Sequence, residues 1–180
     1  MKRVVTWQRV DTEGLEYAEI DLDPLRISGE VVLVEDGLPF ALSYDVDCDG
    51  EGRVRCAALR LRHRGARVER VLLRSRTGQW MSDGAPVPAL DGLDDLDLSA
   101  TPSTNTLPLR RLELPVDRTV EVTAAWVRFP ALDVVPLRQT YRRLGATSFA
   151  YSAPDLDFEA VIQCDEEGIV SSYGGLWRRV

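Results

Sequence analysis

Thr119-Val120-Glu121-Val122-Thr123-Ala124-Ala125-Trp126 decides the fold class. Val120, Val122, Ala124 and Trp126 alternate with Thr119, Glu121, Thr123 and Ala125. A period of two places the first set on one side of an extended chain, so the stretch reads as a strand with one buried face. Working outward, turn pairs recur at short intervals: Asp36-Gly37, Asp49-Gly50, Arg64-Gly65, Thr77-Gly78, Asp83-Gly84, Asp91-Gly92, Glu167-Gly168 and Gly174-Gly175. Between them lie short segments rich in Val, Leu, Tyr and Trp, the pattern of an all-β fold. Val31-Val32-Leu33-Val34 is continuous and predicts a strand covered on both faces. In Arg53–His63 the apolar parity changes midway, which predicts a bulge or bend near Ala57. Gln139–Leu144 reads either as a helical turn or as a strand. The expectation is an all-β chain: a large curved antiparallel sheet forming an open or incompletely closed barrel, one domain over residues 1–180. Such a sheet encloses a cavity once its strands outnumber what side chains can fill.

Composition narrows the class. Of 180 residues, 44% are hydrophobic and 28% charged, the balance of a soluble globular protein. No apolar run is long enough for a membrane helix. The opening Met1-Lys2-Arg3-Val4-Val5-Thr6-Trp7-Gln8-Arg9 lacks the apolar core of a signal peptide. Three cysteines, Cys48, Cys56 and Cys164, are odd in number and lack Cys-x-x-Cys spacing, which fits reduced thiols and a cytoplasmic location. The net charge of −7 hides a block from Arg53 to Arg76 with nine arginines and one acid, Glu69. That block either attracts phosphates and anionic headgroups or pairs across strands with acidic neighbours. The acidic whole and the missing aromatic interleaving favour pairing, and no nucleic-acid partner is expected.

Catalytic and metal motifs fare poorly. Asp45-Val46-Asp47-Cys48-Asp49-Gly50 imitates the start of a calcium loop, but Cys56 stands where the bidentate Glu belongs, so a hairpin is expected. Asp91, Asp94, Asp95 and Asp97 match no metal-loop spacing. His63, the one histidine, sits among arginines. No nucleophile elbow, phosphate loop or dinucleotide fingerprint occurs, and no metal, cofactor or catalytic residue is assigned.

Asp91 to Leu114 is the densest polar stretch. Four aspartates precede Thr101-Pro102-Ser103-Thr104-Asn105-Thr106-Leu107-Pro108, and Arg110 and Arg111 follow among leucines. The prolines bias Thr101 and Leu107 toward extended backbone, and the hydroxyl and amide side chains suit turns. With Leu109–Leu114 extended, Arg110 shares the face of Leu112 and Leu114, and Asp97 becomes its natural partner. The alternative occupant is an anionic or sugar headgroup. Trp80, Trp126, Tyr141, Tyr151, Tyr173 and Trp177 supply apolar bodies with polar tips suited to a cavity mouth.

At these residues the chain resembles the "Putative glycolipid-binding" family of bacterial proteins. The series is Gly78-Gln79-Trp80, Leu90-Asp91-Gly92, Asp95-Leu96-Asp97-Leu98, Thr101 to Leu112, Gln139-x-Tyr141, Asp165-x-x-Gly168-x-Val170-x-x-Tyr173 and Trp177. Glu166-Glu167 departs from the pattern by lengthening one acidic turn. The resemblance implies an all-β open barrel similar in shape to lipoprotein carriers that hold acyl chains in a concave apolar surface. The expected function is noncatalytic binding of a glycolipid or other amphiphile, with Trp80, Asp97, Thr104, Asn105, Arg110, Gln139, Tyr141, Tyr151 and Tyr173 as ligand contacts. Two rivals stand beside it: a hydrolase of carbohydrate or lipid esters using Asp97 or Asp165, and an interaction protein whose polar motif locks the fold.

Overall fold

A computed structural model describes residues 1–35 and 37–180. Eight strands come first: β1 (Lys2–Arg9), β2 (Gly14–Leu22), β3 (Leu25–Glu35), β4 (Leu38–Cys48), β5 (Val54–His63), β6 (Ala66–Arg74), β7 (Trp80–Ser82) and β8 (Ala85–Pro86). Then come β9 (Asp95–Leu98), a 3-10 turn at Ser103–Asn105 and helix α1 (Thr106–Arg111). The chain finishes with β10 (Thr119–Arg128), β11 (Asp133–Arg143), β12 (Ser148–Ala153), β13 (Phe158–Cys164), β14 (Val170–Tyr173) and β15 (Trp177–Arg179). They form one 15-stranded sheet in the order β8 to β1, then β15 down to β9. The sheet is two meanders joined where β1 pairs β15.

The all-β expectation therefore holds, and the sheet is not closed into a barrel. Its two edges, β8 and β9, are consecutive in the chain. Side chains bridge this seam: the Trp80 indole N–H donates to the Leu93 carbonyl at 3.0 Å, and Arg74 donates to the same carbonyl at 2.7 Å. Every neighbouring pair is antiparallel except β9 and β10, which run parallel because α1 lies in the connection between them.

Alternation explains the core. On β3, Leu25, Ile27, Val31 and Leu33 point inward; on β4, Val46, Leu42 and Phe40 stand opposite the last three, and Tyr44 stands opposite Gly29. Gly29 interrupts the series because the Tyr44 ring lies across it, and a Cβ there would stand 2.5 Å from the phenol oxygen. Val31–Val34 is not covered on both faces: Val32 is 59% exposed, because β3 lies in an antiparallel region with one solvated face. The parity break in β5 is a bulge at Arg55, two residues before the expected position: Asp47 pairs Cys56 and Cys48 pairs Val54. The arginine expectation is met on β6 only where Arg60 stands opposite Glu69, and on β4 it is not. Arg60 and Arg62 stand opposite Ser43 and Ala41, whereas Asp45 and Asp47 stand opposite Ala58 and Cys56. Arg53, Arg70 and Arg74 instead pair with Glu51, Asp83 and Asp94 in loops. The Asp36-Gly37 turn falls at residue 36, outside the described residues.

Two apolar clusters form. The first gathers β1–β7 residues around Trp7, Trp80, Trp177 and Tyr44, all fully buried. The hollow expected inside the sheet is occupied there by the protein's own side chains. The second is built on Val122, Leu137, Tyr141, Phe149, Tyr151 and Ile162. Strands β9 and β10 lie between them. Leu96, Leu98, Ala125 and Val127 join the first cluster, while Val122 and Trp126 face the second. This covers both faces of β10 and is why Ala125, out of phase in the sequence, is buried. The sheet curls past itself, and Phe129, just beyond β10, stacks on Phe40 at 5.9 Å between centroids.

Candidate functional site

Register places the carboxylates first. Asp95 pairs Ala124 and Asp97 pairs Trp126, so both acids project from the face of β9 that shares the second cluster. Gln139 pairs Val122, and Tyr141 pairs both Val120 and Tyr151 on that same face. Gln139 and Tyr141 thus belong to strand β11, which settles the helix-or-strand alternative in favour of the strand.

The side chains meet in a polarised chain. The Gln139 amide donates to the Asp97 carboxylate. The Tyr141 hydroxyl has two acceptors, Asn105 Oδ1 at 3.0 Å and Gln139 Oε1 at 3.2 Å. Asn105 is anchored in turn by its own amide, 3.4 Å from the Pro102 carbonyl. Around this chain stand four rings in edge contact: Tyr151 lies 5.2 Å from Tyr141, 5.8 Å from Tyr173 and 6.0 Å from Phe158, centroid to centroid. Gln139, Tyr141 and Tyr151 are buried, whereas Asp97, Trp126, Phe158 and Tyr173 are only half-buried. Asp97 therefore lies deep among aromatic side chains, at a position that as a residue keeps some exposure, beside the half-buried Trp126 and near Phe158 and Tyr173.

Burial sets the electrostatics. Asp97 is pushed up to about 6 by desolvation, opposed by the hydrogen bond from Gln139. Tyr141, Tyr151 and Tyr173 are all raised, chiefly by burial, and the Asp97 carboxylate adds to each. They remain neutral donors at any physiological pH. What the site offers is one carboxylate, two side-chain amides, phenol hydroxyls and aromatic edges.

Not every expected residue comes to this place. Asp97, Asn105, Gln139, Tyr141, Tyr151 and Tyr173 gather. Thr104 lies nearby but is committed to backbone, its Oγ1 accepting from the Leu98 N–H at 3.2 Å. Trp80 is buried in the first cluster beside the seam. Arg110 does not pair with Asp97, because residues 106–111 form helix α1 rather than an extended segment. It donates to the Glu167 carbonyl and packs on Gly168, where a Cβ would stand 2.9 Å from Arg110 Cγ. Arg111 makes the ion pair instead, with Asp95. Asp165 accepts from the Glu167 and Ile169 N–H groups and from Arg179, which fixes a turn.

One constellation escaped the sequence reading. Glu16 on β2 is 1% exposed with no cation beside it. Its carboxyl accepts from the Tyr44 hydroxyl, and Thr101 Oγ1 lies 2.6 Å from both carboxyl oxygens. Ser103 Oγ lies 2.7 Å from the Tyr44 oxygen and 2.8 Å from Thr101 Oγ1. Desolvation outweighs these bonds and pushes the acid up to about 8. The signal was present: Glu16 shares parity with inward Ala18 and Ile20. Phe158, placed between the charged Asp157 and Glu159, carried no comparable signal.

Comparison with known proteins agrees with this architecture. A crystal structure of a DUF1089 family protein from Pseudomonas aeruginosa superposes with a TM-score of 0.86 and 31% identity, covering 93% of this chain and 92% of that one. None of the curated proteins compared matches the chain. The sequence profile of the family described as "Putative glycolipid-binding" matches residues 4–179, nearly the whole length. The chain belongs to that family.

Proposed function

We propose that the protein binds an amphiphile through its polyhydroxylated headgroup, without catalysis, at the mouth formed by Asp97, Trp126, Phe158 and Tyr173. One observation carries this reading: a carboxylate held by a glutamine lies among aromatic rings on a residue that is only half-buried. A carboxylate accepts two sugar hydroxyls at once, the Gln139 amide and Tyr151 hydroxyl complement it, and ring surfaces cover the C–H faces of a pyranose. The family's description points to the same ligand class. Because the first cluster fills its own interior, the acyl portion of such a ligand lies outside that core.

The raised Asp97 would also suit a general acid, but a hydrolase of the two-carboxylate kind needs a second free partner. Asp95, two residues along the same face, is spent on Arg111, and Asp165 on backbone and Arg179.

The test is isothermal titration with short-chain glycosides and glycolipids. Asp97→Asn should weaken binding at least tenfold, the cost of a charge-assisted hydrogen bond, without lowering the melting temperature. Unchanged affinity in that variant, or no glycoside binding by the parent, would reject the assignment. Because carboxylate and not acid is the better acceptor, parental affinity should rise as pH passes upward through about 6, and the Asn variant should show no such rise.

A further inference from the structure

The arginine block at the β5–β6 hairpin is left without a role by the headgroup site. Its geometry is unusual. Register aligns Leu15, Val32, Ala41, Arg62 and Arg67 in one cross-strand row on the outer face of β2 to β6. Leu15 is 54% and Val32 59% exposed. The row thus runs from exposed aliphatic side chains into two arginines that stand directly opposite each other. Like charges in that position destabilise a sheet. Among the described residues, neither Arg62 nor Arg67 makes an ion pair, and neither does Arg64 at the hairpin tip, although most other arginines of the chain find carboxylates. Beside the row an open hollow of about 600 Å³ is walled by Val32, Leu38, Pro39, Phe40, Ala66 and the arginine stems. His63, in the same wall, leaves its buried Nδ1 without a protein partner among the described residues.

Apolar surface adjoining guanidinium groups that make no ion pair among the described residues calls for a partner that supplies anions and hydrocarbon together. We propose that this end of the molecule, the β5–β6 hairpin with Val32 and Leu38, docks on the surface of an anionic phospholipid bilayer. Phosphates meet Arg62, Arg64 and Arg67, and the aliphatic residues enter the interface. A nucleic acid supplies the phosphates but nothing for Val32, Leu38 and Leu15. Phe40 of the hollow stacks on Phe129, one residue beyond β10. The inference stands on the outer face alone and does not require the reading of Asp97.

The test is flotation of the full chain with two vesicle populations, phosphatidylcholine alone and phosphatidylcholine mixed with phosphatidylglycerol. The protein should float with the mixed vesicles at low salt, remain behind with the neutral ones, and be released as salt is raised. The double variant Arg62→Gln/Arg67→Gln should lose about thirtyfold in partitioning, about fivefold per arginine. Arg118→Gln, an exposed arginine elsewhere, should lose none. Val32→Ser should weaken binding that persists at intermediate salt. Melting temperatures of all variants verify folding, and wild-type salt release gives a readout free of substitution. Equal flotation with neutral vesicles, no flotation at low salt, or insensitivity to the double substitution would each overturn the proposal. So would full competition by millimolar inorganic phosphate, which marks a small anion site, or arginine-dependent binding of duplex DNA in place of vesicles. Failure here with intact glycoside binding leaves the Asp97 site standing, and the converse outcome leaves the docking face standing.

Discussion

Glu16 shows what one buried acid does to the energetics of the molecule. Its acidity in the fold is weakened to about 8, so the native state holds a proton that the unfolded chain has released above about 4.5. Between those limits the unfolded state binds fewer protons, and stability must fall as pH rises. The contribution is full below the unfolded value and gone above about 8, a swing on the order of a few kcal/mol. Glu16→Gln keeps the shape and removes the titration. Denaturant midpoints measured from pH 7 to pH 8, above the titration of Asp97, should drop for the parent and stay nearly level for the variant. A parental profile as flat as that of Gln would mean the carboxylate is ionised in place. At this scale the sequence was readable in half: Asp97, Asn105 and Tyr141 stood out by type and Gln139 through the family resemblance, yet which arginine met which aspartate depended on a backbone conformation that a six-residue stretch does not declare.

That conformation belongs to helix α1. Pro102 and Pro108 argued for extended chain, but Pro108 occupies the first turn of α1, where a helix needs no N–H from it. A helical rotation of roughly 100° per residue then separates the arginine pair. Arg110 turns to the Glu167 carbonyl and Arg111 to Asp95. The second of these is the buried one, since Asp95 is nearly inaccessible and its acidity is weakened by desolvation against the opposing pull of Arg111. Removing the cation strands the carboxylate. Arg111→Ala should cost about 3–5 kcal/mol in chemical denaturation. Arg110→Ala, which leaves behind only a carbonyl near water, should cost no more than about 1 kcal/mol. Equal losses would show that α1 is held by packing and not by the ion pair. Short strands were legible from parity; a one-and-a-half-turn helix inside a polar loop has too few residues to show a period.

For the molecule as a whole, an open all-β sheet was legible because hairpin signals are local. The filled interior was not, because the positions of β9 and β10 between two clusters follow from long-range pairing. The same curl leaves a seam between β8 and β9 that hydrogen-bonded strands do not close. Trp80 and Arg74 span it, so Trp80→Ala should destabilise the fold by about 3–5 kcal/mol. Hydrogen exchange in that variant should speed up first at residues 93–98 and not in the β2–β4 ladder. Uniform acceleration throughout would mean that the seam does not open independently.

The joining of β1 to β15 sets a constraint on synthesis. Trp7, Gln8 and Arg9 wait for Trp177, Arg178 and Arg179 as their backbone partners. A ribosome therefore releases the opening strand with one flank bare, and that flank stays sticky through the translation of some 170 further residues. Nascent chains arrested shortly before residue 177 should be the species most prone to self-association and most dependent on chaperones.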